Sequence, residues 1–144
     1  MRFIFIAILF AVAAGCNTLP PEEGGSYTYI GYNEQGDVIV AGTLVLDFGD
    51  HPDEDIESEI GGTWVLTPVG DADVPGPQTG TGDLVGYILA GGQVSIGLNP
   101  NWADNNVYLS GTFVDDRYEK LQGEWSYSSF LGLVASGDFV ATRR

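Results

Sequence analysis

From Ser26 onward, apolar and polar residues trade places at almost every step. Val94, Ile96 and Leu98 alternate with Gln93, Ser95 and Gly97, and Val107, Leu109, Gly111 and Phe113 alternate with Asn106, Tyr108, Ser110 and Thr112. Leu121, Gly123, Trp125 and Tyr127 alternate with Lys120, Gln122, Glu124 and Ser126. A period of two puts one set of side chains on each face of a strand, so these segments read as strands with one wet face. No window of helical length carries an equally good 3.6-residue stripe. Val38 to Phe48 is apolar at every even position except Gly42, with Ile39 and Val45 on the other face. Thr63 to Val69 and Leu84 to Leu89 are apolar on both faces, which calls for cover by a loop, a partner or another copy of the chain.

The punctuation is as regular as the alternation. Asn33-Glu34-Gln35-Gly36, Ala90-Gly91-Gly92 and Asp115-Asp116-Arg117-Tyr118 are short turns that make neighbouring strands antiparallel. The pattern predicts an all-β fold of eight strands near residues 26–33, 37–48, 58–69, 81–89, 92–98, 105–114, 119–128 and 134–143. Consecutive hairpins with short connections suggest a single antiparallel up-and-down β-barrel, because closure removes the exposed edges of a sheet this size. Gly42, Gly86, Gly111 and Gly123 fall on inward positions, where strands bend or another backbone comes close. A two-sheet sandwich is the alternative. A transmembrane barrel needs strands of about ten residues with the apolar face outward, and several segments here are shorter.

The chain ahead of this domain is different. Arg2 is followed by the apolar run Phe3 to Ala14, too short to span a bilayer as a helix and of the length of an export-signal core. It ends in Ala13-Ala14-Gly15-Cys16, and Cys16 is the chain's only cysteine. Cleavage after Ala11-Val12-Ala13 would leave an unpaired thiol in an exported protein. The whole stretch resembles the processing site of bacterial lipoprotein precursors, although Ala13 stands where that family usually has Leu. The resemblance implies a signal peptide over residues 1–15, a diacylglycerol thioether on Cys16 and an acylated amino group, a multi-chain anchor that holds stably. Residues 16–25 then read as the lipidated Cys and a tether, with Pro20-Pro21 and Gly24-Gly25. Extended, that tether reaches about 30 Å. Asn17 rather than Asp follows the Cys, which the same resemblance ties to the outer membrane of an envelope that has one. Residues 26–144 form the acidic barrel domain.

Charge narrows the partners. Beyond the leader the only bases are Arg117, Lys120, Arg143 and Arg144, against the chain's 20 acids. Such a surface repels nucleic acid and anionic headgroups. It leaves a cation or a basic partner as a specific reading and a solvated, soluble surface as the plain one. The densest run, Asp50 to Glu59, lacks the spacing of a calcium loop, and Asp71-Ala72-Asp73-Val74-Pro75-Gly76 fails at its twelfth position, Gly82. No metal or cofactor site is expected. His51, the only histidine, sits alone in a loop, and no nucleophile elbow or phosphate loop is present. Paired-acid hydrolysis would need a desolvated carboxyl, and these acids fall mainly in loops. The chain does not read as an enzyme.

Aromatics are the remaining clue. Trp64, Phe113, Trp125, Tyr127 and Phe139 are expected inside, and an eight-strand interior is either filled by side chains or admits one small ligand. Gly62-Thr63-Trp64 and Gly123-Glu124-Trp125 resemble the Gly-x-Trp element of lipocalin-type barrels, three residues at a time. If the barrel is hollow, Trp64, Tyr87, Phe113 and Trp125 are the expected lining of a site for a small apolar ligand. Trp102 and the segment Phe130-Leu131-Gly132-Leu133 put apolar groups in loops, as a docking surface or as a plug over one barrel end. The expected role is a membrane-anchored envelope lipoprotein with a structural or interaction function, its partner another envelope protein. The alternative is a lipocalin-like binder of a small apolar ligand.

Overall fold

The two-residue period of the sequence becomes an inside and an outside. A computed structural model describes residues 24–50, 53–70, 78–101 and 105–144. Its strands are β1 (Gly25–Tyr32), β2 (Val38–Gly49), β3 (Ile56–Pro68), β4 (Gly80–Leu89), β5 (Gln93–Gly97), β6 (Asn105–Phe113), β7 (Lys120–Ser129) and β8 (Gly132–Arg143). Each pairs antiparallel with the next, and β8 returns to β1, giving a closed eight-strand barrel in simple up-and-down order. That closure excludes the sandwich. Leu44, Leu46, Ile60, Leu66, Leu84, Ile88, Ile96 and Leu109 point inward and are buried, while Glu59, Asp83, Glu124 and Asp138 stand on the outer wall. Each fully buried aliphatic side chain is worth roughly 1.5–3 kcal/mol, so the inward stripe supplies the main driving force.

Turn chemistry sets the register. The Asn33 carboxamide oxygen accepts the amides of Gln35 at 3.0 Å and Asp37 at 2.8 Å, fixing the β1–β2 hairpin. At the β6–β7 connection, Asp115 Oδ1 accepts the amides of Arg117 at 2.9 Å and Glu119 at 3.1 Å. This holds Tyr118 in a left-handed conformation, φ 58°, that few side chains adopt. Two edges of the expected pattern move. Ile39, expected on the outer face, is buried, because the β1–β2 register skips it between Val40 and Val38 and so turns it inward beside Val40. β8 begins at Gly132 rather than 134, so Leu133 lies on a strand and not in a loop.

Gly42, Gly86, Gly111 and Gly123 do share the inward face. Gly111 and Gly123 are opposite each other across β6–β7, and a Cβ on either would lie 2.2 Å or 2.0 Å from a carbonyl oxygen of the neighbouring strand. The wall can bend that tightly only where no side chain intervenes.

The structure also shows a repeat that the alternation conceals. Across β3–β4, Trp64 faces Gly82, Thr63 faces Asp83 and Gly62 faces Leu84. Across β7–β8, Trp125 faces Gly137, Glu124 faces Asp138 and Gly123 faces Phe139. Thr81-Gly82-Asp83-Leu84-Val85-Gly86 and Ser136-Gly137-Asp138-Phe139-Val140-Ala141 thus hold equivalent places in two hairpins of the same register. In each, the glycine leaves room for an indole to lie over the backbone.

Candidate functional site

Strand direction gives the barrel two distinct ends. The proximal end, where β1 starts, gathers the β2–β3 loop, the β4–β5 turn, the β6–β7 connection and the end of β8. The distal end gathers the other connections, including the β7–β8 tip.

Four aromatic residues define the proximal closure. Tyr118, turned inward by its left-handed backbone, packs on Phe113 with centroids 4.7 Å apart and on Phe48 at 5.9 Å. Tyr27 donates its hydroxyl to the Tyr118 carbonyl at 2.7 Å and stacks obliquely on Phe113 at 6.4 Å. Burial raises the phenol pKa of both Tyr27 and Tyr118; nearby Arg143 opposes the rise at Tyr27, and Asp115 adds to it. Sequence reasoning missed this plug. An Asp-rich turn signals a bend, but not that the tyrosine ending it folds inward.

The distal half is built around the two tryptophans. The Trp125 indole N–H donates to the Tyr32 carbonyl at 2.7 Å, and the Trp64 indole donates to the Leu98 carbonyl. Both rings are buried, and each catches the carbonyl at the end of the strand two places further round the barrel. Below them Tyr29 stacks on Phe139, with centroids 5.7 Å apart, and donates its hydroxyl to Gln78 Oε1 at 3.1 Å. Burial pushes the Tyr29 phenol far above its ordinary range, so it remains a neutral donor. Gln78 is itself fully buried, and its amide nitrogen has no partner among the described residues.

The four residues expected to line one cavity are therefore not brought together. Trp64 and Trp125 lie in the distal half of the interior, and Phe113 belongs to the proximal plug. Tyr87 is on the outer wall, 38% exposed, because Leu84, Gly86 and Ile88 take the inward positions of β4. There it borders a shallow outer groove of about 250 Å³ with Val85, Gly97, Pro100 and Tyr108. The two-sided apolar segments leave Val45, Val65, Val85 and Leu89 exposed on this same wall.

Among the described residues, no group of three or more His, Cys, Asp or Glu side chains is placed to hold a metal ion. No helix among them is long and apolar enough to cross a membrane. The leader 1–15, Cys16 with most of its tether, His51, Asp71–Gly76 and Trp102 lie outside the described residues. Phe130 and Leu131, by contrast, are described and stand out from the distal end, 78% and 82% exposed. No family model, curated protein or solved structure matches this chain.

Proposed function

We propose that the chain is an envelope lipoprotein, tethered through acylated Cys16, whose barrel is a non-enzymatic scaffold that holds an interaction surface away from its own membrane. The observation that carries this reading is the polarity of the barrel. The chain enters at Gly25, on the end that bears Asp50, Asp53, Glu54, Asp55, Asp115 and Asp116, and the exposed Phe130 and Leu131 are at the opposite end. A lipid at Cys16 therefore fastens the acidic end toward the bilayer. Anionic headgroups repel those loops, and a tether of about 30 Å lets the barrel stand clear of them. The apolar tip then points toward whatever lies beyond. The interior supports a scaffold rather than a container: a ligand in the barrel would have to displace indoles that are already hydrogen-bonded to Tyr32 and Leu98.

Mass spectrometry of the mature N-terminus tests the anchor. The expected species begins at Cys16 and carries diacylglycerol and an amide-linked acyl chain, and Cys16→Ser releases the protein from membranes. A mature chain with an unmodified Cys16 thiol overturns the reading.

A further inference from the structure

β8 is twelve residues long, but β1 pairs with it only from Phe139 to Arg143. Above Phe139, β1 leaves the wall: the Tyr32 carbonyl turns to the Trp125 indole, and Tyr32 itself pairs with Val38 of β2. The Tyr32 main chain still lies against Gly137, but from Gly132 to Ser136 β8 is flanked by β7 alone among the described strands. A strand flanked on one side offers a row of main-chain donors and acceptors to an added strand.

The other half of the barrel supplies an internal comparison. β4 pairs with β5 only from Val85 to Leu89, so Gly80 to Leu84 form the equivalent open edge, with the Trp64 indole taking the Leu98 carbonyl. That edge carries Thr81 and Asp83. Both ladders thus stop short of the distal rim of a barrel that is closed below them. On β8 the equivalent positions are Ser136 and Asp138, and the edge runs on beyond them to Leu133 and Val134, 67% and 53% exposed, beneath the exposed Phe130 and Leu131. From Trp125 to Gly137 the chain has no charged residue, in a protein of net charge −15. Neither charge nor proline blunts this edge, and its one interruption is a bulge at Val134, which the β7–β8 register skips.

Beside the edge is a notch of about 250 Å³ bounded by Glu34, Glu124, Ser136, Gly137 and Asp138. Its three carboxylates select the sign of whatever enters. A second copy brings only further negative charge, since the edge and its surroundings contain no base to answer them.

We infer that the open edge of β8 accepts an extended segment of a partner protein as an added strand. The segment's apolar side chains cover Leu133 and Val134, and a lysine or arginine enters the notch formed by Glu34, Glu124 and Asp138. The inference rests on the scaffold reading and names the surface that the anchored barrel holds out. Backbone pairing gives affinity without strict sequence demands, while the notch fixes direction and register.

The test uses the intact chain in detergent micelles and two synthetic peptides of alternating valine and threonine, one ending in arginine and the other in glutamate. Hydrogen exchange read by mass spectrometry is expected to slow about tenfold or more over residues 130–138 with the arginine peptide, and not with the glutamate peptide. Val134→Lys abolishes that protection. Should Val134→Lys fail to fold, Glu124→Gln with Asp138→Asn must weaken the arginine peptide selectively. Three results overturn the inference: no protection by either peptide, equal protection by both, or the same protection arising from concentration-dependent dimers without peptide. The readout does not depend on acylation. An unprotected edge in a chain with lipidated Cys16 removes this inference alone, and a protected edge in a chain with a bare thiol removes only the anchor.

Discussion

Trp125 faces Gly137 across the β7–β8 ladder, and its indole nitrogen would lie 2.9 Å from a Cβ built on that glycine. The same Cβ would come within 2.0 Å of the Tyr32 carbonyl oxygen that the indole bonds. One missing side chain thus makes room for both partners of the hydrogen bond that holds the end of β1. Trp64 and Gly82 repeat the arrangement in the other half, where the hydrogen-bond partner is Leu98. Each tryptophan thus acts as a latch, holding the carbonyl at the end of the strand two places further round the barrel.

Breaking one latch has a measurable cost. Trp125→Phe keeps most of the ring's packing but leaves the Tyr32 carbonyl without its donor. A buried acceptor stripped of its partner costs about 1–3 kcal/mol. Urea unfolding of the variant is expected to show a loss in that range, with Trp64→Phe behaving alike. A loss under half a kilocalorie in both would mean that the indole N–H groups contribute nothing.

The glycine partner is more demanding. Gly137→Ala must push either Tyr32 or the indole aside, and overpacking of this kind costs about 1–3 kcal/mol or more. Gly61→Ala is the control: it lies on the outer face of β3, and a Cβ there meets nothing within 4 Å. That substitution is expected to stabilise by about 0.5 kcal/mol, because glycine in a strand costs backbone entropy. Equal effects from the two substitutions would sink the latch argument.

How much of this was readable in the chain follows from which interactions are local. Alternation of side chains within a strand is local, so the inward set from Leu44 to Phe139 and the eight strands could be read directly, and short turns such as Asn33 to Gly36 implied antiparallel closure. Ile39 could not be read correctly, because a register skip opposite Gly31 and Tyr32 flips it, and that skip depends on the partner strand. The repeat was hidden for the same reason. Thr81 to Gly86 and Ser136 to Ala141 look alike only once each glycine is seen opposite a tryptophan from another strand. Trp64, Phe113 and Trp125 were rightly expected inside, but periodicity carries no information about height along the barrel. It therefore could not show that Phe113 belongs to the opposite end. Tyr87, expected in the lining of a hollow barrel, has outward parity on its own strand, as inward Leu84, Gly86 and Ile88 show.

The buried phenols make stability depend on alkaline pH. Tyr29 has its folded-state pKa raised by burial above the ordinary phenol value near 10. Below pH 10 both folded and unfolded chains hold the proton, so this group contributes no slope. Above it the unfolded chain ionises while the folded chain does not, and stability falls by about 1.4 kcal/mol per pH unit for that one phenol. Tyr27 and Tyr118 shift in the same direction and steepen the fall. Urea midpoints measured from pH 8 to 11 are expected to be flat and then drop, with a shallower drop in Tyr29→Phe. An unchanged slope in that variant would show that Tyr29 ionises freely in the folded barrel.

Salt should stabilise this protein, which separates general repulsion from a specific cation site. Its 20 acids face 5 bases, and the ion pair of Arg117 with Glu119, at 3.3 Å, is largely exposed. Exposed pairs of that kind contribute little, so screening removes far more repulsion than attraction. The Debye length shrinks from about 30 Å at 10 mM to about 3 Å at 1 M salt. The melting temperature at pH 7 is expected to rise by several degrees over that range in sodium chloride. Calcium chloride matched in ionic strength gives the same rise if the acidic loops only repel one another. An extra increase at millimolar calcium would instead mark binding to the folded state, since a ligand that prefers the native chain lifts its melting point. A melting temperature that falls with sodium chloride would mean that attractive surface pairs outweigh the repulsion implied by the composition.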